Sequence, residues 1–421
     1  MMTGSLRWRV ALIISAAIAI SYLDRQTLPV AIAAIQRDIP ISNVRFSQLQ
    51  IAFLLAYAMM YAGGGKLIDV LGVRRGFLWV MLFWSLACAS HGLAAGFGTL
   101  AVSRFLLGLG EGGGFPAATK AVSEWFPTRE RSTAMGIINA GAAVGSVIAP
   151  PAIAAIIQRL NWRWVFLLCG AAGFLWALWW AREYFAPAQH PKLSGGEAVE
   201  LGEVLTPTAR HKSDAPWASL LAFPQVWGLV LAKFLSDAAW YFYLFWLPKY
   251  LYDARGFDIK QVGYFAWIPY AASGLGSLLG GWFSSRLLRR GNSLSLSRKL
   301  ALGGSAAVMP MILFVTQVPI EWTIALFSLA FFGQQSWSTL VMILPADLFP
   351  QRVVGSVAGL VGFGGAMGGV VFNLIAGRIL DGGAGYGPVF AIVSAFHVVA
   401  FLIILLTLPK VQPLEIKGAL A

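Results

Sequence analysis

Asp24, Arg25, Arg104, Glu111, Lys233 and Asp237 all stand within long apolar stretches of this 421-residue chain. An unpaired ionisable group deep in a membrane helix costs roughly 2.5–3.5 kcal/mol on insertion scales, so each is a functional candidate. Asp24 follows Arg9 by about 15 residues, roughly 22 Å of helix. Arg104 and Glu111 lie roughly 8 Å and 18 Å into a helix entered near Thr99. Asp24, Arg25 and Arg104 are therefore expected at similar depth, with Glu111 nearer the middle. Arg104 and Glu111, seven apart, share a helix face. Glycines at 108, 110, 112, 113 and 114 allow close backbone approach, and Pro116 can break the helix there.

These residue types suit two tasks. The guanidinium of Arg25, Arg104 or both offers a bidentate fork to a carboxylate. Asp24 and Glu111 suit proton carriage, because a poorly hydrated cavity favours a neutral carboxyl over a carboxylate. An Asp24–Arg104 pair could hold while the cavity is empty and break when an anion claims the arginine. The plainer reading is a structural ion-pair network, and the two are compatible. Lys233, Asp237 and Tyr241 fall on one face at i, i+4 and i+8. Such a pair either neutralises itself or faces a solute.

The elements that must position these groups are membrane spans. The chain is 58% apolar and 12% charged, and its mean hydropathy is +0.71. A soluble domain is nearer half apolar and a quarter charged. Apolar runs such as Val10 to Leu23, Phe77 to Ala89 and Val389 to Leu408 are long enough, with their flanks, to cross roughly 30 Å of hydrocarbon. The spacing predicts twelve helices, near 8–35, 46–67, 75–95, 99–125, 131–157, 162–183, 223–251, 259–287, 299–317, 321–346, 354–380 and 386–408. The first run continues past Asp24 and Arg25 to about Ile35, so it reads as a span rather than a cleaved signal. Residues 184–222, rich in Pro, Gly and charge, read as a cytoplasmic linker between six-helix halves at 1–183 and 223–421.

The net charge of +13 would suggest nucleic acid in a soluble protein. Here the basic residues sit in short loops, with about a twofold excess on the side of Arg7, Arg74, Arg75, Arg289 and Lys410, which places both termini in the cytoplasm. The halves repeat: Glu124-Trp125-Phe126-Pro127-Thr128-Arg129 is echoed by Asp347-Leu348-Phe349-Pro350-Gln351-Arg352. Beyond it, Gly136, Gly141 and Gly145 fall in register with Gly359, Gly364 and Gly368. A parallel repeat of this kind implies a solute site at the interface of the halves near the midplane. Nucleotide chemistry is excluded, because no strand precedes Gly108-Leu109-Gly110-Glu111-Gly112-Gly113. Cys88 and Cys169 read as buried small hydrophobes. No catalytic triad and no metal-ligand spacing is present, so no enzyme, metal or cofactor is expected.

Gly65-Lys66-Leu67-Ile68-Asp69-Val70-Leu71-Gly72-Val73-Arg74-Arg75 resembles the G-x-x-x-D-x-x-G-x-[RK]-[RK] loop signature of the major facilitator superfamily, with a degenerate copy at Gly281 to Arg290. Asp69 would meet the positive end of a helix dipole. Tyr22-Leu23-Asp24-Arg25 and the stretch Arg104 to Ala117 resemble its anion:cation symporter branch. Lys233 to Asp237, Phe245 to Tyr250 and Leu278 to Trp282 are most similar to the bacterial hexuronate transporters. The resemblance covers nearly the whole chain. It implies an all-α integral membrane protein, with twelve transmembrane helices in two pseudo-symmetric six-helix bundles.

In related symporters the residues matching Asp24 and Glu111 titrate, and the one matching Arg104 contacts the anion. Tyr57 has the same offset from the loop signature as a binding tyrosine there, and its other reading is a packed aromatic. Gln334, Gln335, Trp337 and Ser338, roughly 20 Å from the outer end of their helix, suit sugar hydroxyls or helix–helix hydrogen bonds.

The expectation is a proton-coupled symporter of a sugar-acid anion, a hexuronate such as galacturonate or glucuronate. It would work by alternating access as a monomer in a bacterial inner membrane. Its partners would be solute, protons and lipid, with no nucleic acid. The alternatives are an anion exchanger, a carrier of galactonate, gluconate or tartrate, and a membrane solute sensor.

Overall fold

A computed structural model describes residues 6–126, 128–193, 196, 220–349, 351–412 and 414. Most of the stretch expected as the linker, 197–219, lies outside the described residues. The described residues form helices and no strand. This is what lipid demands, because a helix satisfies its backbone N–H and C=O groups internally.

The helices are α1 (Leu6–Asp38), α2 (Asn43–Ser90), α3 (Phe97–Glu111), α4 (Gly114–Trp125), α5 (Thr128–Arg159), α6 (Trp162–Glu183), α7 (Pro224–Arg255), α8 (Ile259–Phe265), α9 (Trp267–Arg289), α10 (Leu294–Ala307), α11 (Ile320–Leu348), α12 (Gln351–Asp381) and α13 (Tyr386–Thr407). Twelve crossings follow when α2 is taken as two, and when α3 with α4, α8 with α9, and α10 with the 3-10 turn Met309–Thr316 are each taken as one.

Where the elements depart from the expected spans, a residue explains the departure. The loop signature is not an open loop. Helix α2 runs through it and bends at Gly72, whose φ of 72° and ψ of 157° are non-helical. That left-handed φ suits glycine. Arg74 just beyond the bend donates to the Ala181 carbonyl at 2.9 Å and lies 3.9 Å over the Phe185 ring, a cation at the C-terminal end of α6. Arg75 is exposed. The side chains at 65, 66 and 69 lie outside the described residues. The single span expected over 99–125 is broken after Glu111, because Pro116 has no N–H to give the Gly112 carbonyl. Pro310 likewise leaves the Ala306 carbonyl without its helical donor. Helix α10 stops at Ala307 and the chain continues as 3-10 turn.

The chain divides into two compact units. Unit 1 comprises Met1–Ile41, Gln48–Arg210 and Phe257–Trp267, and unit 2 comprises Ser42–Ser47, His211–Gly256 and Ile268–Ala421. In unit 1, α5 lies against α1 so closely that a Cβ at Gly141 or Gly145 would collide with the carbonyl oxygens of Ser15 and Ala19. In unit 2, a Cβ at Gly364 or Gly368 would collide with Val230 and with the Phe234 carbonyl of α7. The third repeated pair, Gly136 and Gly359, faces open space in both units. The sequence repeat is therefore a structural one: both copies join the first and fifth crossings of their unit through small residues. In lipid such joints rest on close packing rather than on a hydrophobic drive. Large apolar side chains such as Leu278 and Leu406 face outward, 72% and 81% exposed, as lipid contact requires.

Overpacking a tight helix contact costs about 1–3 kcal/mol. Gly145→Val is therefore expected to lower the melting temperature of the detergent-solubilised protein by several degrees, and Gly136→Ala to leave it unchanged. Equal melting of the two variants would contradict the contact.

Candidate functional site

Unit 1 gathers its buried charges around α1, α2 and α3. Ser21 and Arg25, one turn apart on α1, both reach Glu111 at the end of α3. The Ser21 hydroxyl donates to Glu111 Oε2 at 2.7 Å, and so does Arg25 Nε, also at 2.7 Å. The Arg25 and Glu111 side chains are 4% and 0% exposed. The Arg25 guanidinium also lies 4.6 Å from the Tyr22 ring and 4.7 Å from the Tyr57 ring. Tyr57 stacks on Phe53 at 5.8 Å, so its ring face serves the cation. The glycines of α3 allow this. A Cβ at Gly108 would collide with the Phe53 carbonyl, and one at Gly112 would stand 2.6 Å from the Tyr57 carbonyl.

Arg104 is fully buried and its surroundings differ. Its Nη2 donates to Gln50 Oε1 at 2.8 Å and to the Arg25 carbonyl at 3.4 Å. Its Nε and Nη1 have no hydrogen-bond partner, and the Phe53 ring lies 4.9 Å from it. Asp24 is fully buried too, and neither of its oxygens has a hydrogen-bond partner. The thiols of Cys88 and Cys169 adjoin it. The Asp24–Arg104 pair anticipated from helix depth is not formed. Arg25 instead pairs with Glu111, which depth along two straight helices had set apart.

In unit 2, Lys233 Nζ donates to Asp237 Oδ1 at 2.8 Å and to Ser338 Oγ at 2.9 Å. The pair is wedged against Gly365 of α12, where a Cβ would collide with the Asp237 carboxylate. Tyr241 stacks on Phe245 at 5.8 Å. Gln334 is buried with its Oε1 on His397 Nε2. Trp337 is fully buried and meets the His397 ring edge-on at 5.6 Å. Gln335 is half-buried on the same helix. The repeat that matches Glu124 with Asp347 also matches Glu111 with Gln334, each 13 residues earlier. The carboxylate of unit 1 is thus a neutral amide in unit 2.

Sequence reasoning missed Ser21, Gln50 and His397. The first two were findable: Ser21 precedes Arg25 by one turn, and Gln50 precedes Tyr57 by seven residues, each on the same helix face. His397 carries no such signal, because its partner lies 63 residues away on another helix.

Residues 14–373 match the family model of the Major Facilitator Superfamily. The chain is 30% identical to the hexuronate transporter of Escherichia coli (strain K12), over 98% of this chain and 96% of that one. It is 33% identical to the galacturonate transporter of Dickeya chrysanthemi, over 72% of this chain and 89% of that one. A solved bacterial homologue of the human lysosomal transporter Spinster superposes with a TM-score of 0.71 at 18% identity, covering 95% of each chain. The chain belongs to the Major Facilitator Superfamily and is, as a member of it, a multi-pass membrane transporter rather than an enzyme.

Proposed function

We propose that this transporter carries a sugar-acid anion, a hexuronate such as galacturonate or glucuronate, together with protons. The observation that carries the reading is the fully buried Arg104, two of whose guanidinium nitrogens have no hydrogen-bond partner, in the same unit as a fully buried Asp24. A guanidinium without a carboxylate, held out of water, is matched by an anionic ligand able to accept two parallel N–H bonds. The relatives that carry hexuronate and galacturonate support the choice of anion.

The proton side rests on Glu111. Its charge holds Arg25, and a proton placed there loosens that hold and makes a second guanidinium available. Asp24 provides a further carboxyl for a proton. With a monovalent anion, one proton leaves the transported complex neutral. Two protons move net charge, which gains about 2.3 kcal/mol per 100 mV. The basic-residue asymmetry supports cytoplasmic termini in a bacterial inner membrane. We take the working form to be a monomer, without metal, cofactor or nucleic acid.

Labelled galacturonate taken up by proteoliposomes should accumulate faster with an inward proton gradient, and other hexuronates should compete. Uptake indifferent to the gradient, with counterflow intact, would instead favour an exchanger. Arg104→Ala should reduce uptake to the level of empty liposomes, and normal uptake would overturn the arginine's role. Glu111→Gln retains a hydrogen-bond acceptor for Arg25 but cannot carry the proton. It should lose gradient-driven accumulation and keep counterflow, whereas equal loss of both would make Glu111 structural.

A further inference from the structure

We infer that Gln50 keeps Arg104 available to an anion: its neutral amide holds the guanidinium where an acid would consume the charge, and yields that place to the solute's carboxylate. This role deepens the sugar-acid reading above and rests on it. Arg25, Lys233, Lys249 and Arg298 are buried, and each is bonded to an acid at 2.8 Å or less. Arg104 is fully buried and, among the described residues, bonded to none. Asp24 and Glu111 act on it through space, and neither is hydrogen-bonded to it.

The face of α2 toward the two arginines of unit 1 is built from neutral groups. Gln50, Phe53 and Tyr57 share that face at i, i+3 and i+7. The Phe53 ring lies 4.9 Å from the Arg104 guanidinium and 5.6 Å from that of Arg25, and the Tyr57 ring lies 4.7 Å from Arg25. Ring faces attract a cation without cancelling its charge. Gln50, itself fully buried, completes this side with an amide.

The position of the amide on the guanidinium matters as much as its neutrality. Gln50 Oε1 accepts from Arg104 Nη2 at 2.8 Å, and the Arg25 carbonyl accepts from the same nitrogen at 3.4 Å. That carbonyl is open to Arg104 because Pro29, four residues on, has no N–H to give it. Nη2 belongs to both two-pronged edges of a guanidinium, Nε with Nη2 and Nη1 with Nη2. A carboxylate gripping two parallel N–H groups therefore takes one of them from Nη2. There it meets a backbone oxygen fixed in α1 and a side-chain oxygen that turns aside about its own bonds. Displacing the amide is favourable, because a charge-assisted bond is roughly twice as strong as a neutral one. Displacing a carboxylate would bring no such gain, and lying beside one is repulsive. Gln50 acts through Arg104, so it is a positioning residue.

The test sets two variants against each other. Gln50→Glu keeps the size and the acceptor but adds the charge, whereas Gln50→Met keeps the size and removes the acceptor. Half-saturation is read from labelled galacturonate counterflow in proteoliposomes without a proton gradient, and melting from the solute-free protein in detergent. Gln50→Glu should raise the half-saturating concentration by about tenfold or more, a decade of affinity being about 1.4 kcal/mol, and should melt above Gln50→Met. Gln50→Met should raise the half-saturating concentration by less than about threefold. A Gln50 that merely fills a buried hydrogen bond predicts the reverse order, with Glu tolerated and Met harmful.

That reverse order would overturn the assignment, and so would Gln50→Glu with wild-type affinity. Gln50→Glu melting below Gln50→Met would overturn it too, because the new carboxylate would then not be paired with Arg104. Wild-type liposomes that exchange no sugar acid would instead remove the reading beneath it.

Discussion

A charged side chain inside a membrane must be answered by another charge, by a ring of donors and acceptors, or by its own neutralisation, and that requirement shapes both units. Unit 1 answers Arg25 with Glu111, which Ser21 also holds, and with two aromatic faces. It answers Arg104 with an amide oxygen and a backbone carbonyl, both on Nη2, which leave Nε and Nη1 without a hydrogen-bond partner.

The glycines make these answers possible. A carboxylate at the end of α3 can touch α1 because α3 lies on α2 with no side chain between them at Gly108 and Gly112. The break after Glu111 frees a carbonyl beside the ion pair and ends the helix where the charge is needed. The same device serves α5 on α1 and α12 on α7, at equivalent positions of the two repeats. A repeated fold with unlike polar contents is the outcome. Position 111 is an acid that pairs with Arg25 in unit 1, and position 334 is an amide on His397 in unit 2.

Much of this was legible in the residues themselves. Apolar length sets the spans, because about 20 residues are needed to cross the hydrocarbon. The repeat of Glu124 to Arg129 at Asp347 to Arg352 marks the two halves. The rarity of charge in apolar runs singles out Asp24, Arg25, Arg104, Glu111, Lys233 and Asp237, because the insertion penalty is local to each residue. Partner choice was not legible. Depth along straight helices joined Asp24 to Arg104, whereas the fold joins Arg25 to Glu111 and leaves Asp24 beside two thiols. Adjacent residues on a helix point about 100° apart, so Asp24 and Arg25 face different neighbours. Which one meets α3 depends on how α1 is rotated against α2 and α5. That rotation follows from glycine contacts between helices distant in sequence, and only the tertiary structure decides it.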